Sequence, residues 1–316
     1  MLPSLFLLAS ALSFFACGDK KPPAVSISPS VLEAKESPLS LLPMQYDSKL
    51  NPDQYATIEA ATEIPLLRWD FSEELSTTYQ FSQQATSTSR YNLSAEAPEP
   101  NIQKITATGI IKIQSTGDSQ AELSILDLQT TMHLGSTDDP QEISQTMTPI
   151  ILQGFQEDSH LSAQLSASSG GMDLLFRLPK TKLKLGESIS IPVETPFNAM
   201  GSLLMVKGET TITLHQWVTI ADQLCIQMQI QTVVDQLDIP ESMEGEYTFL
   251  KQESSILYFD INAQQFVEGT MVALMEFSVD APNPQMSVDG ETASTLPTRT
   301  QMSMRNETLI QYSLHH

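Results

Sequence analysis

Apolar and polar residues alternate with a period of two along much of the second half of the chain. Ile226, Met228 and Ile230 lie on one side of this pattern, and the glutamines between them lie on the other. The same alternation recurs at 211–215, 257–261, 273–279 and 302–312. It is typical of half-buried antiparallel strands, and the abundant Thr and aromatic residues also favour strands. No long stretch repeats with the helical period of about 3.6 residues, so the sequence predicts an all-β, antiparallel body.

Short turn motifs separate the predicted strands, at 115–118, 244–245, 262–263 and 289–290. A Ser/Gly-rich stretch at 166–171 divides the body into a first β-rich half, 66–165, and a second, 172–316. Gly109 and Gly208 lie 99 residues apart in similar strand patterns, one in each half. A true repeat and a shared strand composition both account for this likeness. A repeat predicts two similar halves whose sheets pack together or continue as one curved sheet.

Residues 1–16 have the pattern of an export signal. Their apolar run, LFLLASALSFF at 5–15, is shorter than the roughly 20 apolar residues of a membrane-spanning helix. The run matches the apolar core of a secretory signal peptide, which ends in small residues near its cleavage site. Ordinary cleavage near residues 9–11 is one reading of this segment, and the residues that follow the run support a more specific one.

The sequence Ala16-Cys17-Gly18, directly after Phe14-Phe15, resembles the lipobox of bacterial lipoproteins: a small residue, an invariant Cys, then Gly or Ser. This resemblance implies that the signal peptide is cut after Ala16. It further implies that the thiol of Cys17 receives a diacylglycerol and that the new amino terminus receives another acyl chain such as palmitate. Each buried methylene contributes about 0.8 kcal/mol, so two or three chains make a durable anchor.

The same resemblance places the protein in the cell envelope, bound to a membrane through the acyl chains on Cys17. In a Gram-negative cell, the resemblance implies that Gly18 at the second mature position, rather than Asp, would permit export to the outer membrane. Residues 17–65 would then form a disordered tether, because seven of the 19 prolines lie within 22–65. The pattern leaves room for a helical turn near 55–61. Fully extended, residues 22–65 would span on the order of 140 Å at about 3.1 Å per residue.

A second resemblance concerns residues 178–188, LPKTKLKLGES. An "LP" followed by a Lys-rich segment and "GE" is similar to a recurrent feature of uncharacterised β-rich bacterial lipoproteins, and it implies no activity. Its structural meaning is modest. Gly186 permits a tight turn before a strand at 187–191.

The charge balance restricts the classes of partner. Sixteen Lys and Arg against 38 Asp and Glu give a formal net charge of −22, which argues against nucleic acid as a partner. An apolar fraction of 41% is enough to build a core, so a disordered acidic chain is excluded. Two cysteines do not make a disulfide-framework fold.

Candidate reactive groups have ordinary structural explanations. None of the five histidines, His133, His160, His215, His315 and His316, has a partner at metal-ligand spacing. Cys225 should be a small residue on the second sheet face or at a strand edge, and Ser169 lacks the flanks of a nucleophile elbow. The acidic residues of 235–246 and Asp138-Asp139 fit solvated loops better than calcium sites. The sequence therefore predicts no catalytic, metal or cofactor residues.

These observations favour a non-enzymatic interaction or structural module in the envelope. The alternative is a carrier that shelters an apolar or lipid ligand in a curved β-sheet cavity, for which the 14 methionines offer adaptable apolar surface. A carrier requires an apolar cavity of several hundred Å³. An interaction module requires a contiguous exposed apolar patch or a long unpaired edge strand, and an enzyme, ranked third, requires converging titratable groups.

Overall fold

A computed structural model describes residues 30–33, 50–59, 63–71, 75–92, 100–117, 119–134, 141–159, 175–199, 202–241, 243–282 and 299–315. As predicted, the fold is all-β. The strands within these ranges are β1 Ser30–Glu33, β2 Ser76–Asn92, β3 Asn101–Gly117, β4 Gln120–Leu134, β5 Gln141–Thr146, β6 Ile150–Gln156, β7 Glu187–Ala199, β8 Ser202–Ile220, β9 Gln223–Asp238, β10 Glu246–Asp260, β11 Gln265–Pro282 and β12 Arg299–Leu314.

All of these strands belong to one antiparallel sheet. Its order is β1-β7-β8-β9-β10-β11-β12-β2-β3-β4-β5, and β6 pairs with β4 beyond the end of β5. The sheet is open and curved. The strands of the first half, β2–β6, join those of the second half, β7–β12, through the pairing of β12 with β2. Of the two arrangements predicted for the halves, the structure has the continuous curved sheet.

The inner face of the sheet, which carries Ile226 and Met228, holds the main core. Trp69 and Phe71 stack at 5.9 Å between ring centroids, and the ring of Phe176 lies 4.8 Å from that of Tyr312. These aromatic residues belong to one cluster that draws on both halves of the sheet. Segments 63–71 and 175–183 supply Trp69, Phe71 and Phe176 to it. Side chains from outside the strands therefore fill the inner face next to Tyr79, Phe266 and Tyr312.

The outer face is covered by residues 50–59, which we call the strap. Leu50 is only 2% exposed, and the ring of Tyr55 meets that of Tyr258 edge-on, with 5.1 Å between centroids. Thr57 forms a β-bridge to Val218. The strap thus packs over a second apolar cluster, which includes Val218 and Tyr258.

The strap shortens the predicted tether. The sequence predicted that residues 50–65 belong to the tether, yet Leu50 and Ile64 are buried against the sheet. Burying apolar side chains such as these lowers the free energy of the folded state. Ser30–Glu33 also pairs with β7. Residues 55–59 carry one β-bridge, at Thr57, in place of the helical turn considered from sequence. The signal peptide and most of residues 17–49 lie outside the described residues.

The alternation correctly predicted which side chains of β9 share a face, but it did not predict that side chains on both faces are buried. Gln227 and Gln229 lie opposite Met228, as expected, yet both are buried. The amide of Gln216 donates to Gln227 Oε1 at 2.6 Å and to the carbonyl oxygen of Pro52 in the strap at 3.1 Å. The expectation of half-buried strands is wrong for the middle of β9, because the strap covers the second face.

The turns follow the sequence in part. Gly186 has a φ of +77° directly before β7, which confirms the predicted turn. The two-residue turn between β8 and β9 was not predicted, because Ala221-Asp222 is not a usual pair for positive φ, although both residues adopt it. The 289–290 turn and the 166–171 stretch lie outside the described residues.

Gly109 and Gly208 share a structural context. Each faces a bulge in the following strand, in β3·β4 and β8·β9 respectively. A Cβ at Gly208 would lie 2.0 Å from the carbonyl oxygen of Val233, so the bulge needs glycine there. The likeness is consistent with a repeat, which stays a prediction.

Candidate functional site

A groove of about 600 Å³ crosses the outer face over β11, β12, β2, β3 and β4. The strand register arranges its side chains in two rows that run across the strands. The first row is Glu268, Ser313, Gln80 and Ile110, and it ends beside Asp127. The second row is Thr270, Gln311, Ser82, Thr108 and Gln129. Each row thus presents one side chain per strand.

The floor of the groove is the backbone behind the inner core. Gly269, Tyr312, Phe81 and Gly109 are register partners on four neighbouring strands, and all four line the groove. The Tyr312 ring lies over Gly269 on the inner face, where a Cβ would come within 2.5 Å of it. The Tyr312 hydroxyl donates to the carbonyl oxygen of Leu175 at 2.7 Å. Packing on one face therefore fixes the position of the groove on the other.

Asp127 reaches the groove through a bulge in β4. Its φ is +51°, in the left-handed region that few residues other than Gly adopt, although Asp tolerates it better than most. The register of β3 and β4 shifts at this point, between Thr108 and Ile110. Bulges often redirect a side chain near a binding site. Here the bulge exposes a carboxylate at one end of the groove.

Glu268 closes the opposite end together with the strap. The Tyr55 hydroxyl donates to Glu268 Oε1 at 2.9 Å, and the Gln54 amide donates to the same oxygen at 3.3 Å. Burial raises the pKa of the Glu268 carboxyl, and the bond from Tyr55 partly opposes this. Burial raises the pKa of Tyr55 to about 12, and the hydrogen bond to Glu268 and the negative charge of Glu268 add to this increase. The segment that leads from the amino terminus therefore forms one wall of the groove.

The lining is polar and carries no cationic side chain in the part of the chain that the structure describes. Amides and hydroxyls both donate and accept hydrogen bonds, whereas the carboxylates of Asp127 and Glu268 only accept them when ionised. Ile110 is the one aliphatic side chain of the two rows. Such a surface suits a neutral polar ligand that can donate hydrogen bonds, and it disfavours anions and hydrocarbon chains.

The structure also places several residues considered from sequence. Cys225 is buried on the outer face at the start of β9, as expected, and burial raises the pKa of its thiol to about 12. His215 is exposed at a bulge, and His133 lies 4.0 Å from Glu142 at the surface. Within the described ranges, no group of three or more His, Cys, Asp and Glu is arranged to hold a metal ion.

The remaining candidates divide between the surface and the undescribed segments. His315 Nδ1 lies 3.2 Å from the Gln80 amide nitrogen, next to the groove. The acidic 235–246 segment is a loop only in part, because Asp235 and Asp238 lie in β9, and Asp238 pairs with Lys207 at 2.5 Å on the surface. The lipid-attachment residue Cys17, the residue before the cut Ala16, and His160, His316, Ser169 and Asp138-Asp139 lie outside the described residues.

Sequence reasoning missed the groove. Its central side chains, Ser82 and Gln311, are 229 residues apart and meet only because β12 pairs with β2. The one available signal was the run of polar residues at alternate positions of β2, which includes Gln80, Ser82 and Gln84.

Comparisons with known proteins add no family. No protein-family model matches the chain, and no curated protein matches it. Over the stretches that the structure describes, no helix combines the length and the apolar character of a membrane span.

Proposed function

We propose that this chain is a lipid-anchored cell-envelope protein whose β body acts as a non-enzymatic interaction module, and that the groove is its binding surface. The observation that carries the proposal is the groove itself: about 600 Å³, with two rows of side chains across five strands, all of which except Ile110 can form hydrogen bonds. The lipobox-like sequence around Cys17 supports the anchor and the envelope location. The body needs no cofactor in this role.

Binding is favoured over glycoside hydrolysis, a reaction that uses a pair of carboxyl groups, by the separation of the two carboxylates. Glu268 lies on β11 and Asp127 on β4, four strand spacings apart. At about 4.8 Å per spacing, this is about 19 Å along the sheet. Two carboxyl groups that act on one glycosidic bond lie within about 10 Å of each other. Glu268 Oε1 is also already occupied by Tyr55 and Gln54.

A carrier of an apolar or lipid ligand is the second candidate. Met275, Met302 and Met304 lie half-buried on the inner face, beside a cluster separate from the main core, and thioethers adapt to varied apolar ligands. We rank the carrier second because Trp69 and Phe176 fill the other end of that face and the groove lining is polar. Lipid that co-purifies with the protein and is released by organic solvent would favour the carrier instead.

The anchor is tested with a Cys17→Ser variant of the full chain. We expect the wild type to label with palmitate and to sediment with membranes, and the variant to remain unlabelled in the soluble fraction. Cys225→Ser is the matched control, because it removes the other thiol and should leave labelling and sedimentation unchanged. A Cys17→Ser protein that still sediments with membranes would contradict the proposed anchor.

A further inference from the structure

The two rows of the groove have a regular spacing that points to a repeating ligand. Successive side chains in each row lie on neighbouring strands, about 4.8 Å apart. One unit of an extended, linear sugar chain has a comparable length. A sugar chain that runs across the strands would therefore set one unit against each pair of side chains, such as Ser82 with Gln80 or Gln311 with Ser313.

The side-chain chemistry also fits hydroxyl groups. A sugar hydroxyl both donates and accepts, as do the Gln311 and Gln129 amides and the hydroxyls of Ser82, Thr108 and Thr270. An anionic polymer would meet two carboxylates and, among the lining residues that the structure describes, no cationic side chain. A fatty acyl chain would leave the polar rows unpaired. Neutral sugars avoid both penalties.

The two ends of the groove can hold hydroxyl or amide donors. Carboxylates accept strong hydrogen bonds, and both oxygens of one carboxylate can be used. Among the described residues, Glu268 receives its bonds on Oε1 only, which leaves Oε2 for a ligand. Asp127 is exposed at the other end. The distance between these ends, about 19 Å, corresponds to four strand spacings and so to about four sugar units.

We propose that the groove binds a linear, uncharged glycan of about four units, laid across β11, β12, β2, β3 and β4. This inference rests on the proposed function of the groove as a binding surface. It names the ligand by its chemistry, which cell-wall glycans built from N-acetylated amino sugars and neutral glucans share.

The test is isothermal titration calorimetry of the full chain, extracted in detergent, with chito-oligosaccharides and cello-oligosaccharides of one to about six units. We expect Kd to fall with each added unit up to about four and then to level off. The oligosaccharide series that binds more tightly identifies the source of the glycan. Gln311→Ala and Gln129→Ala should each weaken binding by up to about tenfold, the equivalent of one lost hydrogen bond.

Gln84→Ala is the matched control. Gln84 is exposed on the same face of β2, one row beyond the groove, and is not part of its lining. Its replacement should leave Kd unchanged. Three results would overturn the inference: no binding of either series, binding that does not depend on chain length, or tighter binding of oligolysine or of a sulfated glycan than of neutral oligosaccharides.

The two proposals fail separately. Suppose that neither series binds, while the wild type sediments with membranes and Cys17→Ser does not. The glycan inference is then wrong and the proposed anchor stands. If Cys17 carries no lipid but the length-dependent binding is found, the anchor is wrong and the glycan site stands.

Discussion

Phe176 provides the most direct test of how the sheet is held in shape. Its ring is fully buried, with centroids 4.8 Å from Tyr312, 5.3 Å from Tyr79 and 5.6 Å from Phe266. These partners come from three different strands, whereas Phe176 itself comes from the 175–183 segment outside them. We therefore expect Phe176→Ala to lower the free energy of unfolding by about 3–5 kcal/mol, through lost burial and the remaining cavity.

The assay is urea unfolding followed by the fluorescence of buried Trp69 and Trp217. A protein of this size should have a urea m-value of about 3 kcal/mol/M, so the midpoint should fall by about 1 to 1.7 M. Leu203→Ala is the control, since its side chain is 56% exposed and its loss should change stability by at most about 0.5 kcal/mol. A shift below about 0.3 M for Phe176→Ala would show that the segment does not hold the sheet.

Two further predictions concern titratable groups on the outer face. Because burial raises the folded-state pKa of Glu268, its protonated form stabilises the fold, and this contribution is lost as pH rises through that pKa. Glu268→Gln should therefore raise the urea midpoint at pH 7.5 but not near pH 4, and an equal rise at both values would contradict this. Because burial raises the pKa of Cys225 to about 12, its thiolate fraction at pH 8 is about a thousandfold below that of an exposed thiol. Iodoacetamide should label Cys225 slowly in native Cys17→Ser protein and rapidly in urea, and rapid native labelling would show that the strap does not protect it.

Local sequence patterns were sufficient for the strands and most of their faces. The alternation of Ile226, Met228 and Ile230 placed these side chains on one face of β9 because the period of a strand depends only on neighbouring residues. Gly186 likewise predicted the turn before β7, since glycine adopts a positive φ without a steric penalty. The sites of these features are set by residues within the same short segment.

Features that depend on distant residues were not predictable in this way. The burial of Gln227 depends on the strap, which lies in a proline-rich part of the sequence that resembles a tether, while Leu50 and Tyr55 anchor it to the sheet. The groove depends on the pairing of Ser82 with Gln311. Neither the β2 nor the β12 sequence alone specifies that these two strands pair, because all long strands with alternating polar and apolar residues present similar backbone hydrogen-bonding groups at their edges.

The position of β12 has a consequence for how the molecule is assembled. β12 pairs with β11 on one side and with β2 on the other, so it is the only described link between the sheets of the two halves. It is also translated after every strand that it connects. During synthesis, β2 thus lacks its β12 neighbour until more than 200 residues have followed it. Pairing between segments so far apart in the chain delays stable folding and leaves the edge of β2 exposed to aggregation in the meantime.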